Sequence, residues 1–270
     1  ALKRADIGIA MGISGTDVAR ESADMVLLDD NFASIVSAIE EGRAVYANIR
    51  KILTYIHTSN NPELHPNQAN DVLKIPLPLT IIQILAVDLG TDMLPALALG
   101  AEKPDPDGMR RPPRERSERL LSWPLLARAY LFLGLLEAAT AMAAFFFVLR
   151  AGGWHYGEVL DKLDPLYLQA TAACLAGIIV TQVVNVFLCR DDRASSFAFG
   201  FSSNRLILLG VTAEVALILG IVYTPWGQAV FGTAPFPAEA WLFLLPFAAA
   251  MFFLEETRKL VARSLDAARR

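Results

Sequence analysis

The chain has 270 residues, 54% of them hydrophobic, and a formal net charge of −4 at pH 7. A net charge so close to zero for this length argues against a nucleic-acid partner. The mean hydropathy of +0.40 is high for a soluble protein, and the apolar residues are grouped in blocks. These features indicate a protein that lies in a membrane.

Residues 1–50 have the pattern of a small α/β unit. Residues 5–12 read as an apolar strand that ends in glycine, and 24–28 as a second apolar strand. Between them, the turn at 15–17 supplies an N-cap for a short helix, and Asn31 caps a longer helix with apolar residues at helical spacing. This order is that of a parallel α/β sheet, but two strands are too few to fold alone. We therefore expect the chain to be the C-terminal part of a longer protein.

Residues 51–270 form the second predicted domain and contain six candidate membrane spans. A helix that crosses the hydrocarbon core needs about 20 mostly apolar residues, and five stretches meet or approach that length. These stretches are residues 79–100, 125–149, 166–188, 206–223 and 240–254. The sixth candidate, 52–73, contains a polar run. The predicted fold is therefore mainly α, a polytopic membrane helical bundle preceded by the small α/β unit.

The charges of the loops predict the orientation of the spans. The loop at 103–123, the loop after the span at 166–188 and the C-terminal tail are rich in arginine. In contrast, the segment 152–165 has one lysine and three acidic residues, and the segment 224–239 has no basic residue. Because basic loops stay on the cytoplasmic side, six spans with both termini in the cytoplasm satisfy every loop, provided that 52–73 crosses.

Two carboxylates lie inside the apolar stretch 79–100. Asp88 and Asp92 are four residues apart, so a helix places both on one face with Thr91 beside them. A glycine and a proline in the same stretch loosen the helix and free backbone carbonyls for other partners. Each ionised carboxylate at this depth costs at least ~2.5 kcal/mol. We predict a cation site here; the alternative is a buried helix with two satisfied acids.

Polar residues in two other spans extend this prediction. Ser59 and Glu63 share one helix face, with Asn60 adjacent to them. Oxygen-rich side chains of this kind suit hard cations such as Na⁺, K⁺ or Ca²⁺ rather than soft metals. Glu137, in the span at 125–149, is polar at depth and could face a water-filled cleft, but we do not assign it as a ligand.

The run at 57–71 is unusually polar for a membrane span. Its Asn, Gln and His side chains each cost about 1 kcal/mol or more in lipid unless neighbouring helices shelter them. Alone, this segment should not insert, and one hypothesis is that the run reflects sequence error, gene decay or deliberate substitution. His57 and His65 as metal ligands are an alternative, although no third ligand is evident.

Several segments resemble the type II P-type cation-transporting ATPases. Residues 1–12 and 16–32 look like the end of the phosphorylation domain of that family, which is haloacid dehalogenase-like. Residues 88–95 resemble the sixth transmembrane helix, and 110–114 the basic loop behind it. The resemblance is collinear over almost the whole chain and is closest in motif to the sodium/potassium and calcium pump groups.

The resemblance implies ATP-driven cation transport, with transmembrane helices five to ten in this chain. In that family a cytoplasmic aspartate is phosphorylated by ATP with Mg²⁺, and neither that aspartate nor the nucleotide domain matches any part of this sequence. We therefore expect no catalytic residue here, no activity of the chain alone, and the lipid bilayer, the N-terminal half of the pump and an inorganic cation as partners. The implied cation ligands are Ser59, Asn60, Glu63, Asp88, Thr91 and Asp92, with Asn185 and Glu214 as a possible further site.

Finer features of the resemblance bear on the ion. The motif at 88–92 looks more like the sodium/potassium and proton/potassium group than the calcium group, so we expect Na⁺/K⁺ or H⁺, with Ca²⁺ as the alternative, in the plasma membrane. Asn185 stands where sodium pumps have an acid. A function from a different class is a stand-alone channel-like or regulatory membrane protein without ATPase activity. Asp29 and Asp30 are expected to be a strand end and a helix cap rather than acids of a phosphatase.

Overall fold

The computed structural model describes residues 1–105, 107–115 and 118–268. The chain divides into two compact units, residues 1–47 with 103–115 and residues 48–102 with 116–270. The predicted domain boundary at residue 50 is close to the division between these units. Three arginines of the predicted basic loop and tail, Arg116, Arg269 and Arg270, lie outside the described residues.

The first unit contains a two-stranded parallel sheet. Its elements are β1 (Ile9–Met11), α1 (Asp17–Ser22), β2 (Met25–Leu27) and the beginning of α2 (Ala33–Ser59), with 3₁₀ turns at Leu2–Arg4 and Gly108–Arg110. Ile9 is opposite Met25 in the sheet. Thr16 is the N-cap of α1, because its hydroxyl accepts a hydrogen bond from the Ala19 N–H at 3.2 Å. The predicted strand–helix–strand–helix order is present, with strands shorter than the apolar stretches that predicted them.

Asp29 and Asp30 hold the end of β2 in place. The Asp30 carboxylate accepts hydrogen bonds from the Ser14 N–H at 2.7 Å and the Ile13 N–H at 2.9 Å, which ties the loop after β1 to the end of β2. The Asp29 carboxylate accepts from the Asn31 N–H and from a serine hydroxyl in the first turn of α2. These hydrogen bonds favour the ionised form and lower the pKa of both carboxyls. Both residues lie at the predicted strand end, while the cap of α2 is Asn31, whose side chain accepts from the Ala33 N–H at 3.0 Å.

The second unit is made of helices. They are the end of α2, then α3 (Asn61–Leu73), α4 (Ile81–Ala86), α5 (Met93–Gly100), α6 (Trp123–Leu126), α7 (Gly134–Ala151), α8 (Pro165–Leu188), α9 (Arg205–Tyr223), α10 (Pro225–Phe231) and α11 (Ala238–Ala268), with a 3₁₀ turn at Ser196–Phe199. Two π-helical segments, Val87–Thr91 and Ala127–Leu133, join α4 to α5 and α6 to α7.

Five helices of the described part of the chain are long and apolar enough to cross a membrane. They are Ile81–Gly100, Trp123–Ala151, Pro165–Leu188, Arg205–Tyr223 and Ala238–Ala268. Each coincides with one of the five clearer predicted spans, so the mainly α, polytopic membrane fold is confirmed. Helix α11 continues past the predicted end at 254, because charged residues end the apolar run there without breaking the helix.

The sixth predicted span, 52–73, is helical but is not among these five helices. The helix is interrupted at Asn60, where α2 ends and α3 begins. Pro62 in the first turn of α3 explains the position of the break, because proline has no N–H to donate to the preceding turn. That 52–73 crosses the membrane stays a prediction.

Several side chains of the polar run have protein partners. His57 Nδ1 is 2.9 Å from the Tyr130 hydroxyl, and Asn61 Nδ2 donates a hydrogen bond to the Tyr130 carbonyl at 2.6 Å. His65 Nδ1 pairs with the side chain of Gln68 on its own helix. The two histidines thus have separate partners, which does not favour the alternative of a shared metal. Contacts with Tyr130 give part of the run the shelter that a polar segment needs in lipid.

Helix α8 is the central helix of the second unit. In its most apolar window 78% of the residues are buried, against 28% to 50% for the other four helices. It packs on α7 without space for a side chain at Gly177, where a Cβ would lie 3.0 Å from the Cα of Ala141. Two polar residues of α8, Gln182 and Asn185, are fully buried inside the bundle.

Candidate cation-binding site

The two aspartates of the motif at 88–92 lie at a π-helical turn. The segment Val87–Thr91 widens the helix by one residue, and the Asp92 N–H donates to the Val87 carbonyl at 3.0 Å. Asp88 is half-buried, and the Asp92 side chain is buried. Such single π turns are frequent at functional sites, because they aim side chains and backbone carbonyls in directions that an α-helix does not offer.

Gln182 of α8 holds the carboxylate of Asp92. Its Nε2 donates a hydrogen bond to Asp92 Oδ1 at 2.7 Å, and its Oε1 accepts one from the Thr91 hydroxyl at 3.2 Å. A single amide on the central helix therefore orients two of the predicted ligands. The arrangement leaves the second oxygen of Asp92 available for another partner.

Tyr55 of α2 lies between Asp92 and Glu214. Its hydroxyl donates to Glu214 Oε1 at 3.2 Å and is 3.5 Å from Asp92 Oδ1. Both Tyr55 and Glu214 are fully buried. Because a hydroxyl has one hydrogen, it can satisfy only one of the two carboxylates at a time. Glu214 Oε2 has no hydrogen-bond partner in the described part of the chain.

Ser59 and Glu63 approach the aspartates from α2 and α3. Ser59 lies beside Asp92, and Glu63 interacts electrostatically with Asp88 and Asp92. Both side chains are buried, yet Ser59 Oγ and Glu63 Oε1 lack a hydrogen-bond partner within the ranges that the structure describes. Buried oxygens without partners are rare, and they suggest that a ligand belongs beside them.

The other two predicted positions differ from this group. Asn60, at the break between α2 and α3, is exposed, and no hydrogen bond within the described residues links its side chain to the carboxylates. Asn185 is buried, and its Oδ1 accepts a hydrogen bond from the Cys189 thiol at 3.2 Å, while its Nδ2 has no partner among the described residues. The structure thus brings together Ser59, Glu63, Asp88, Thr91, Asp92 and Glu214, but not Asn60.

Glu137 of α7 joins the same group of acids. It is 0% exposed and interacts electrostatically with Asp92, Glu214 and Glu63. We call the five carboxylates the acid cluster; its members are Glu63, Asp88, Asp92, Glu137 and Glu214. No Lys or Arg within the described residues forms a salt bridge with any of them. Five carboxylates without basic partners need protons or cations to be stable together.

Sequence reasoning missed Tyr55 and Gln182 and did not use Glu137. Tyr55 precedes Ser59 and Glu63 by four and eight residues, so helical spacing alone could have found it. Gln182 could have been suspected as a strongly polar side chain inside an apolar span.

No three His, Cys, Asp or Glu side chains in the described part of the chain lie close enough to form a ready-made metal cage.

The known proteins that this chain resembles are cation-transporting ATPases. A model of the family "Cation transporting ATPase, C-terminus" matches residues 76–261. Sodium/potassium-transporting ATPase subunit alpha-4 of Rattus norvegicus is 36% identical over 97% of this chain and 28% of its own length. Subunit alpha-2 of the human sodium/potassium-transporting ATPase and human potassium-transporting ATPase alpha chain 2 have the same identity and coverage. The chain therefore spans about a quarter of the length of these relatives.

Proposed function

We propose that this chain, which belongs to the type II P-type cation-transporting ATPases and matches their C-terminal part, supplies the cation-binding transmembrane helices of an ATP-driven pump. The observation that carries the proposal is the acid cluster, in which buried and half-buried carboxylates from four helical segments interact with one another and form no salt bridge with a basic residue of the described part of the chain. The proposal assigns ATP and Mg²⁺ binding to parts of the pump outside these 270 residues.

The acid cluster provides the charge that a dehydrated cation requires. A cation that enters exchanges water for protein oxygens and relieves the repulsion among the carboxylates. Because the acids do not form a closed cage, the ion also takes neutral oxygens that lie beside them, from the hydroxyls of Ser59 and Thr91. Gln182 keeps Asp92 in a defined orientation while the ion comes and goes.

We propose Na⁺ and K⁺, or H⁺, as the transported ions, with Ca²⁺ as the alternative. Support comes from the Asp-Leu-Gly-Thr-Asp motif at 88–92 and from the names of the relatives, which are sodium/potassium-transporting and potassium-transporting ATPases. Together with the arginine-rich loops, the same likeness supports a place in the plasma membrane with both termini in the cytoplasm. The partners are then the lipid bilayer and the N-terminal half of the pump.

The test uses the complete pump that contains this chain, in isolated membranes. Phosphoenzyme formation from radiolabelled ATP is measured against the concentrations of Na⁺, K⁺ and Ca²⁺, with and without Asp92→Asn. We expect the substitution to weaken the apparent affinity for the activating cation at least tenfold, about 1.4 kcal/mol, because it removes a buried negative charge.

The matched control is Glu239→Gln, the same chemical change at an exposed position of α11. It should leave the cation dependence as it is in the unchanged protein. Phosphorylation that responds neither to the three cations nor to pH, or that depends on them identically in Asp92→Asn, would overturn the proposal and favour a membrane protein that does not pump.

A further inference from the structure

Glu137 is a completely buried acid of the acid cluster to which the proposed function assigns no individual role. Its side chain is 0% exposed, and neither Oε1 nor Oε2 has a hydrogen-bond partner within the described residues. It lies one turn after Gly134, where a Cβ would be 2.3 Å from Asn61 Nδ2, so α3 packs directly on this part of α7. Glu137 is therefore held among helices and away from solvent.

Packing alone does not require a carboxylate at this position. Gln83 is as completely buried as Glu137, but its amide donates hydrogen bonds to the Thr171 hydroxyl and to the Phe231 carbonyl. Glu137 makes no such bond in the described part of the chain. An ionised carboxylate without partners costs far more than an amide of the same shape, and a protonated carboxyl still leaves a buried donor and acceptor unsatisfied. Its presence therefore calls for a ligand that is absent from the protein itself.

The neighbours of Glu137 indicate the chemistry of that ligand. Glu214 is also fully buried with a free Oε2, and Tyr55 holds the other oxygen of Glu214. Glu137 interacts electrostatically with Glu214 and with Asp92, both of the same sign. Three acids in mutual range, two of them with free oxygens, attract a cation and repel an anion.

We propose that Glu137 is a further cation ligand, so that α7 adds a carboxylate to the subsite for a hard cation around Glu214 and next to Asp92. The subsite rests on the proposed transport function and extends it, because it places a ligand on α7 and adds one negative charge to the cation-binding region. Asn185 on α8 is neutral, so the charge of this side of the bundle comes from α7 and α9. The number of cations bound together then depends on Glu137.

The test counts bound ions in membranes of the complete pump. Equilibrium binding of ²²Na⁺, with ⁸⁶Rb⁺ and ⁴⁵Ca²⁺ in parallel, is measured for the unchanged protein and for Glu137→Gln, Asp92→Asn and the exposed control Glu239→Gln. For the ion that the unchanged protein binds, we expect Glu137→Gln to lose one bound ion per chain at saturation, or to bind it at least tenfold more weakly. Cation-dependent phosphorylation should persist with a shallower concentration dependence.

Glu137→Asp keeps the charge and shortens the side chain, and it replaces Glu137→Gln should the latter fail to assemble. It should bind the full number of ions with at least threefold weaker affinity. Equal ion numbers and equal affinity in either variant would overturn the subsite and make Glu137 a packing residue. If Asp92→Asn still weakens binding in that case, the proposed function stands without the subsite. If Asp92→Asn also has no effect, the proposed function itself fails.

Discussion

Two groups of buried charges in the helical unit differ in how they are balanced. The acid cluster contains only carboxylates. The second group, which we call the paired cluster, consists of Arg128, Glu255, Arg258 and Lys259. Glu255 is as fully buried as Glu137 and Glu214, yet it forms a salt bridge with Arg128 Nη2 at 2.6 Å and accepts a hydrogen bond from Arg258 Nε at 2.7 Å.

Equal burial therefore has opposite consequences in the two clusters. In the paired cluster, Arg128 also donates to the Leu188 carbonyl at the end of α8, and Lys259 donates to the Ser196 hydroxyl at 3.0 Å. These bonds join α8 and α11 to the segment before α7, and they leave no role for an external ion. In the acid cluster, the missing counter-charge has to be supplied from outside. Pairing, rather than burial, distinguishes a structural charge from a binding charge.

The largest expected effect comes from breaking the paired cluster. Arg128→Met keeps the length of the side chain but leaves Glu255 with one fewer partner in a buried place. We expect a loss of about 1.5–3 kcal/mol in stability, because Glu255 keeps only Arg258 as a partner and the Leu188 carbonyl loses its donor. Thermal inactivation of the pump in membranes measures it, and the cation concentration for half-maximal phosphorylation should not change at temperatures where the variant is folded.

Arg263→Met is the matched control, since Arg263 is an exposed arginine on α11, the helix that contains Glu255. It should alter the inactivation midpoint little, as surface substitutions usually do. A loss below about 1 kcal/mol in Arg128→Met would mean that the Arg128–Glu255 salt bridge contributes little to stability. The paired cluster would then not be a stabilising group, and its contrast with the acid cluster would fail.

The sequence predicted the position of the acid cluster better than its membership. Asp88 and Asp92 stand out because they interrupt an apolar stretch, and Glu63 follows at helical spacing from Ser59. These are local patterns. The π turn at Val87–Thr91 is not visible in them, because it depends on how α4 and α5 pack against α8 and α9 rather than on local propensity.

Glu137 and the paired cluster were beyond sequence reasoning for a related reason. Helix α7 is apolar over most of its surface, so its periodicity does not tell which side faces the other acids. That direction is set by close contacts of glycines, Gly134 with Asn61 and Gly177 with Ala141. Likewise, Arg128 and Glu255 are far apart in the chain, and only the folded bundle brings them together.

In the acid cluster we expect a smaller change in stability, and a gain rather than a loss. Glu214→Gln removes a buried charge without a basic partner and keeps an oxygen that can accept from Tyr55. In buffer without the transported cation we expect the variant to be more stable than the unchanged protein by about 1–2 kcal/mol. Thermal inactivation with and without saturating cation measures this difference.

With saturating cation, the unchanged protein should be more stable than Glu214→Gln. At 100 times its dissociation constant a ligand stabilises the folded state by about 2.7 kcal/mol, and Glu214→Gln should receive less of this gain than the unchanged protein. Glu239→Gln serves again as the exposed control. A Glu214→Gln variant that is less stable in cation-free buffer would show that the acid is held by bonds within the protein, as in the paired cluster.

The smallest expected effect comes from the hydroxyl between the two halves of the acid cluster. Tyr55→Phe removes the donor to Glu214 at 3.2 Å and the contact with Asp92 at 3.5 Å while keeping the ring in the core. We expect the apparent cation affinity to fall about 2- to 12-fold, the equivalent of about 0.5–1.5 kcal/mol for one hydrogen-bonding group. Cation-dependent phosphorylation measures it.

Tyr130→Phe is the matched control for this last change. It removes a hydroxyl that contacts His57 at 2.9 Å and none of the five acids, so the cation affinity should stay within twofold of the original. Equal losses in both variants would mean that a tyrosine hydroxyl anywhere among these helices affects transport through packing. A loss confined to Tyr55→Phe would mean that the hydroxyl acts on the carboxylates, because only there does it have a charge to orient.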